Sequence, residues 1–152
     1  MLSSFFAKRR ARKHFGAMVR LQDTFLGTVQ GIAKERGCER DMNPLEVTVL
    51  GTFFISETFV VFAREAPARG ILDEFHKYSA EQLFNLNLSS FQAKFPGESI
   101  EAIYDQFMRT FYEKVQVRYE EYRKVMLDDN GLFKQSEKPL FEVVAHLAAC
   151  RT

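Results

Sequence analysis

The stretch ESIEAIYDQFMRTFYEKVQVRYEEYRKVMLD, residues 98–128, decides the fold. Ile100, Ile103, Tyr104, Phe107, Phe111, Val115, Tyr119, Tyr122 and Met126 recur in it every three or four residues, which keeps them on one face of an α-helix. Glu98 and Glu101 fall in the first turn, where the helix dipole favours acids, and Asp128-Asp-Asn-Gly131 supplies a stop. At 1.5 Å per residue this helix is roughly 46 Å long, the length of a whole small domain. Its apolar stripe needs other helices to cover it.

Upstream, the second decisive segment is LEVTVLGTFFISETFVVFA, residues 45–63. Nineteen apolar-rich residues approach the length of a membrane span, but Glu46 and Glu57 lie inside the run and a carboxylate there costs a few kcal/mol on insertion scales. At 100° per residue Glu46, Glu57 and Arg64 fall within about 20° of one another, while Thr48, Thr52 and Ser56 form a second thin polar stripe. Two narrow polar stripes on an otherwise apolar helix suit the buried central helix of a bundle, over about 44–65, opened by an Asn43 cap and Pro44 at the first helical position.

The remaining segments read the same way. Phe15, Met18, Phe25, Leu26, Val29 and Ile32 define a first helix that stops at Gly37. Ile71, Leu72, Phe75 and Tyr78 define a third over about 68–78; the capping-box spacing of Ser79-Ala-Glu-Gln82 predicts a new helix or a kink there, ending before Pro96-Gly97. A last helix covers about 137–150, through Leu140, Val143, Val144 and Leu147. No segment alternates long enough to predict a strand. The expected architecture is all-α: a single-domain bundle of five or six helices, spanning 15–152, with residues 1–14 as a basic arm or helix extension. Phe53, Phe107, Phe111 and Val144 centre their stripes and are expected in the core.

Composition agrees. A chain of 152 residues is one domain, long enough to bury about 70% of its unfolded surface, and 46% hydrophobic with 27% charged residues is a folding composition. The aromatics are lopsided, 16 Phe, 5 Tyr and no Trp, which implies a bulky core. Cys38 and Cys150 match no metal or disulfide-scaffold spacing and are expected unpaired, in a reducing cytoplasm. No secretory signal is visible; residues 1–22, rich in Arg, Ser and Phe without an acid, also have the composition of a mitochondrial transit peptide.

Chemistry is sparse. A P-loop, a dinucleotide fingerprint, a nucleophile elbow and HExxH are all absent from the sequence. Asp73-x-x-His76 and Glu142-x-x-x-His146 approach the spacing of a carboxylate-bridged metal site, but Asp73 and the Glu142–His146 pair fall off the apolar stripes of their helices, and His76 sits at the edge of its own; no metal, haem or other cofactor is expected. Glu57 on the central helix is either a buried acid with catalytic use or, preferably, one half of an ion pair with a neighbouring helix. Tyr104, Tyr112, Tyr119 and Tyr122 are expected to cap the core with their hydroxyls in water.

Charge gives the strongest functional hint. Residues 1–22 carry six basic side chains and no acid, whereas the remainder holds 15 basic and 20 acidic residues. Lys8, Arg9, Arg10, Arg12 and Lys13, with Phe5 and Phe6 before them, form a cluster suited to an anionic membrane surface: Phe enters the interface and each cation contributes about 1 kcal/mol. Nucleic acid is the second candidate partner, an acidic protein face the third, and a merely solvated arm the bland reading. The sequence therefore reads as a non-enzymatic binding or adaptor module, cytoplasmic or peripheral to a membrane. The alternative is a carrier or sensor with a pocket in its Phe-rich core for an acyl chain or similar apolar small molecule, and the third reading is an enzyme using Glu57.

Overall fold

The described residues form six α-helices: α1 (Leu2–Arg36), α2 (Pro44–Phe62), α3 (Ala68–Leu86), α4 (Leu88–Lys94), α5 (Ile100–Met126) and α6 (Leu140–Ala149). The structure is a computed structural model that describes residues 2–62, 68–135 and 140–149; the side chains of 2–8, 10, 11, 41, 61, 62, 68, 69, 140–143 and 147 fall outside the description as well. No strand occurs among the described residues, and the fold is all-α. A short 3₁₀ turn, Glu39–Asp41, links α1 to α2.

Local chemistry sets the ends. Gly37 takes φ +68°, a left-handed conformation that favours glycine, and lets the Cys38 amide return to the Ala33 carbonyl at 2.9 Å. Asn43 Oδ1 accepts from the amides of Leu45 and Glu46 at 3.1 and 3.3 Å, so the predicted cap of α2 is formed. Ser99 Oγ accepts from the Ala102 amide at the start of α5. After α5, Asp128 Oδ1 accepts from the amides of Asn130 and Leu132 in a tight turn that brings Phe133 back onto Phe54.

Around α2 the other helices close. Its Val49, Leu50, Phe53 and Ile55 are buried together with Met18, Phe25 and Val29 of α1, Phe75 of α3, Phe111 and Tyr122 of α5, and Val144 and Ala148 of α6. Phe53 meets the rings of Tyr119 and Tyr122 at 5.0 and 5.4 Å, and Phe25 stacks near Phe54. Gly51 permits the α1–α2 approach: a Cβ there would stand 2.6 Å from Phe25 Cδ1 and 2.7 Å from Gln22 Oε1. No helix among the described residues is long and apolar enough to cross a membrane.

Four expectations are corrected. The break at Ser79 is absent: α3 runs through it to Leu86, because Ser79 and Ala80 are buried and Leu83 and Phe84 extend the buried stripe from Phe75. Tertiary packing overrides the local capping signal, and the interruption comes instead at Asn87. Phe107 is half-buried, not core, whereas Phe53, Phe111 and Val144 are buried as expected. The hydroxyls of Tyr119 and Tyr122 are inside the bundle, and Tyr104 donates to Glu81 at 2.8 Å. Cys38 is disulfide-bonded. Its sulfur lies 3.6 Å from the Ala149 carbonyl oxygen, and Cys150, the other cysteine in the sequence, lies outside the described residues. With that bond the argument for a reducing compartment falls.

Candidate functional site

The interruption at Asn87 creates the most distinctive feature of the surface. Asn87 Nδ2 donates to the Leu83 carbonyl at 2.9 Å, closing the end of α3, and the chain restarts as the seven-residue α4, which contributes no fully buried residue. Held out in this way, α4 forms one wall of a groove of about 310 Å³. Asn43, Pro44 and Leu45 at the start of α2 and Leu83 at the end of α3 form other parts of it, and Ile103, Gln106, Phe107 and Thr110 of α5 complete it. Phe107 is half-buried because one side of its ring faces this groove.

Aromatic rings make the lining rigid. Phe91 and Phe107 are 5.4 Å apart at 45°, and Phe84 stands behind both, at 5.8 Å from Phe91 and 5.6 Å from Phe107. Phe107 in turn leans on buried Phe111. Such ring clusters gain about 0.5–1.5 kcal/mol per pair beyond area burial. Polar groups are few. Asn43 spends its Oδ1 on the helix cap and keeps Nδ2 as a donor; Thr110 donates to the Gln106 carbonyl at 3.0 Å; Lys94 brings the only charge among the lining residues. Leu86, Phe95 and Ile100, all exposed, extend the apolar surface of this end of the bundle. A second depression, lined by Asp105, Met108, Arg109, Tyr112, Glu113 and Gln116, lies open along one face of α5 alone.

Comparison with protein-family models, with curated proteins and with solved structures finds no match.

The basic cluster lies on the first turns of α1. Arg9, Arg12 and Lys13 are exposed; the side chains of Phe5, Phe6, Lys8 and Arg10 lie outside the described residues. The helix continues without a break into the body, where His14 meets Phe59 and Phe15 meets Tyr78 edge-on.

Glu57 does not stand alone. Arg123 Nε donates to its carboxylate at 3.3 Å, so the acid is half of an inter-helix ion pair. The more deeply buried acid is Glu46, 3% exposed, which receives Lys114 Nζ at 2.9 Å and Arg118 Nη2 and Nε at 2.9 and 3.0 Å. Burial pushes its carboxyl up, but the hydrogen bonds and charges of Arg118 and Lys114 outweigh this and hold it below the ordinary range. The acidic stripe of α2 thus faces a basic row on α5, while Arg64 lies outside the described residues. Thr52 turns toward α1, where Gln22 Nε2 donates to its Oγ1 at 3.2 Å, whereas Ser56 is buried beside Tyr119 of α5. Gln22, buried at this interface, gave no sequence signal.

His76 has the nearest thing to catalytic company. Its Nδ1 lies 2.6 Å from the Leu72 carbonyl, so that nitrogen carries the proton, and the Tyr119 hydroxyl donates to Nε2 at 2.6 Å. Burial lowers the imidazole pKa against the opposing pull of the Leu72 carbonyl and Asp73, and burial raises that of the Tyr119 phenol. Neither the groove nor the α5 depression is lined by either residue. The pair braces α3 against α5. Asp73 is exposed, His146 is half-buried where an exposed position was expected, and the Glu142 side chain is outside the described residues. No group of three metal-ligating side chains occurs among the described residues.

Proposed function

We propose that the protein is a non-enzymatic binding protein for a small apolar ligand, held in the groove between α4, α5 and the ends of α2 and α3. The observation that carries this reading is a cavity of about 310 Å³ with ring faces for walls and a few polar atoms around them. That volume is at the lower end of the ~300–1,000 Å³ typical of small-molecule sites, and the mixture of apolar walls with sparse polar groups is their usual lining. Ion pairing of Glu57 and the enclosure of His76 by its two partners weigh against catalysis by either.

The test is a titration of the isotope-labelled chain with indole, a neutral bicyclic probe, followed by amide NMR shifts. Shifts clustered at Leu83, Phe91, Ile103 and Phe107, and lost in a Gln106→Trp variant that fills the groove from an exposed position, support the reading. Absence of saturable shifts there at millimolar indole contradicts it.

A second reading rests on a different observation, the exposure of Arg9, Arg12 and Lys13 on the continuous α1. In it the first turns of α1 contact an anionic surface, lipid ahead of nucleic acid, with an acidic protein face as the remaining partner. Charge reversal at Arg9, Arg10 and Arg12 then abolishes sedimentation with anionic vesicles, and Phe5→Ser with Phe6→Ser weakens lipid binding but leaves nucleic-acid binding nearly unchanged. A parent chain that binds neither at low salt overturns it.

A further inference from the structure

We infer that the groove selects an aromatic carboxylate of on the order of ten heavy atoms, with the Lys94 ammonium as the anchor of its charge; this rests on the ligand-binding reading above and adds the ligand's chemistry.

Size sets the first limit. A volume of about 310 Å³ lies at the lower end of the ~300–1,000 Å³ of small-molecule sites, which suits a ligand of on the order of ten heavy atoms. A single ring with a short arm suits a groove of this size. Shape sets the second. Phe91 and Phe107 present ring surfaces at 45° to one another, and both are backed by Phe84, so a flat ring can stack offset on one and meet the other edge-on. Such an arrangement prefers a ring over a flexible chain of equal volume, because a ring loses little conformational entropy on binding.

Charge sets the third. Of the twelve lining residues Lys94 is the sole ionised one, and no acid lies within ion-pair distance of it among the described residues. Gln106 Oε1, Asn87 Oδ1 and the Thr110 oxygen are acceptors, and beside Lys94 the donors are Asn43 Nδ2 and the Gln106 NH2. A ligand with an acceptor head satisfies these donors, and a carboxylate does so with charge-assisted bonds. A cationic ligand finds no acid among the described lining residues and meets Lys94 as a like charge.

The experiment titrates the full chain with 3-phenylpropionate, the isosteric 3-phenylpropionamide and 3-phenylpropylammonium, reading amide NMR shifts in the parent, Lys94→Met and Gln106→Trp. Lys94 is exposed, so Lys94→Met retains the fold, which circular dichroism checks. The expected result is that the carboxylate binds about tenfold more tightly than the amide. Lys94→Met then removes that preference without changing the amide's affinity, the ammonium binds worst, and Gln106→Trp blocks all three. Equal affinities for carboxylate and amide, or a preference that survives Lys94→Met, overturn the carboxylate assignment while leaving the groove a ligand site. No saturable shift with any probe overturns both.

Discussion

Replacing Glu46 by Gln measures how much of the bundle's stability depends on one buried charge. The carboxylate is 3% exposed and receives three close N–H groups, from Lys114 Nζ and from Arg118 Nη2 and Nε. Hydrogen bonds to charged groups net roughly 1.5–3 kcal/mol each, against a desolvation penalty of several kcal/mol for the buried acid. Removing the acid leaves Lys114 and Arg118 with 31% and 25% side-chain exposure, and Arg118 keeps Glu121 at 2.9 Å. Neither cation is fully stranded, so the loss falls below the 3–5 kcal/mol of an orphaned buried charge. We expect Glu46→Gln to cost about 2–3 kcal/mol, a fall in Tm of about 5–10 °C for a chain of this length. Glu57→Gln is the internal comparison: a single contact at 3.3 Å to an Arg123 that is 56% exposed, worth less than about 1 kcal/mol. Urea unfolding followed by circular dichroism at neutral pH gives both numbers. Because the folded-state pKa of Glu46 lies below its unfolded value, its contribution is present above about pH 4.3 and is lost as pH falls through the depressed folded value. The gap between parent and Glu46→Gln closes in that acid window. Equal stability of the two variants at neutral pH would refute the assignment of Glu46 as the charged hinge between α2 and α5.

Gly51→Ala is expected to destabilise by about 1–3 kcal/mol through the clash with Phe25 and Gln22, whereas Gly27→Ala, with open space around it, gains about 0.5–1 kcal/mol; thermal melts with the same sign for both contradict the close approach. The His76 imidazole titrates below its ordinary value of 6.5, read from ring-proton NMR; its stabilising contribution is present above the unfolded pKa and disappears as pH falls through the folded one. Tyr119→Phe, which leaves His76 Nε2 without its donor, costs about 1–2 kcal/mol by urea unfolding. Reduction of the Cys38 disulfide lowers stability by about 2–4 kcal/mol, measured by melts with and without a thiol reductant.

What was legible in the sequence follows a physical line. Helix periodicity, the Asn43–Pro44 start and the Gly37 stop are local, and they placed the end of α1 and the bounds of α2 and α5 within a few residues, while the start of α1 at Leu2 was left open between an arm and a helix extension. The two polar stripes of α2 were legible too, because 100° per residue is a property of the helix alone. Their partners were not: Arg118 is 72 residues from Glu46, and Gln22 is 30 from Thr52. Ser79 misled because its capping pattern is local while its burial is tertiary. Phe107 misled for the complementary reason. It centres the α5 stripe, yet full burial also requires a neighbour on every side, and the short α4 leaves one side open. The groove is bordered by four elements that touch without closing over it, and no single element carries its signature.

The most direct measurement is an experimental structure of the chain grown with 3-phenylpropionate. The expected result is density for a ring packed on Phe91 and Phe107 with its carboxylate at Lys94, and a groove left open between α4, α5 and the ends of α2 and α3. A structure in which α4 has closed onto α5, with the Phe91 ring filling the space between Leu83 and Ile103 and no ligand present, contradicts it.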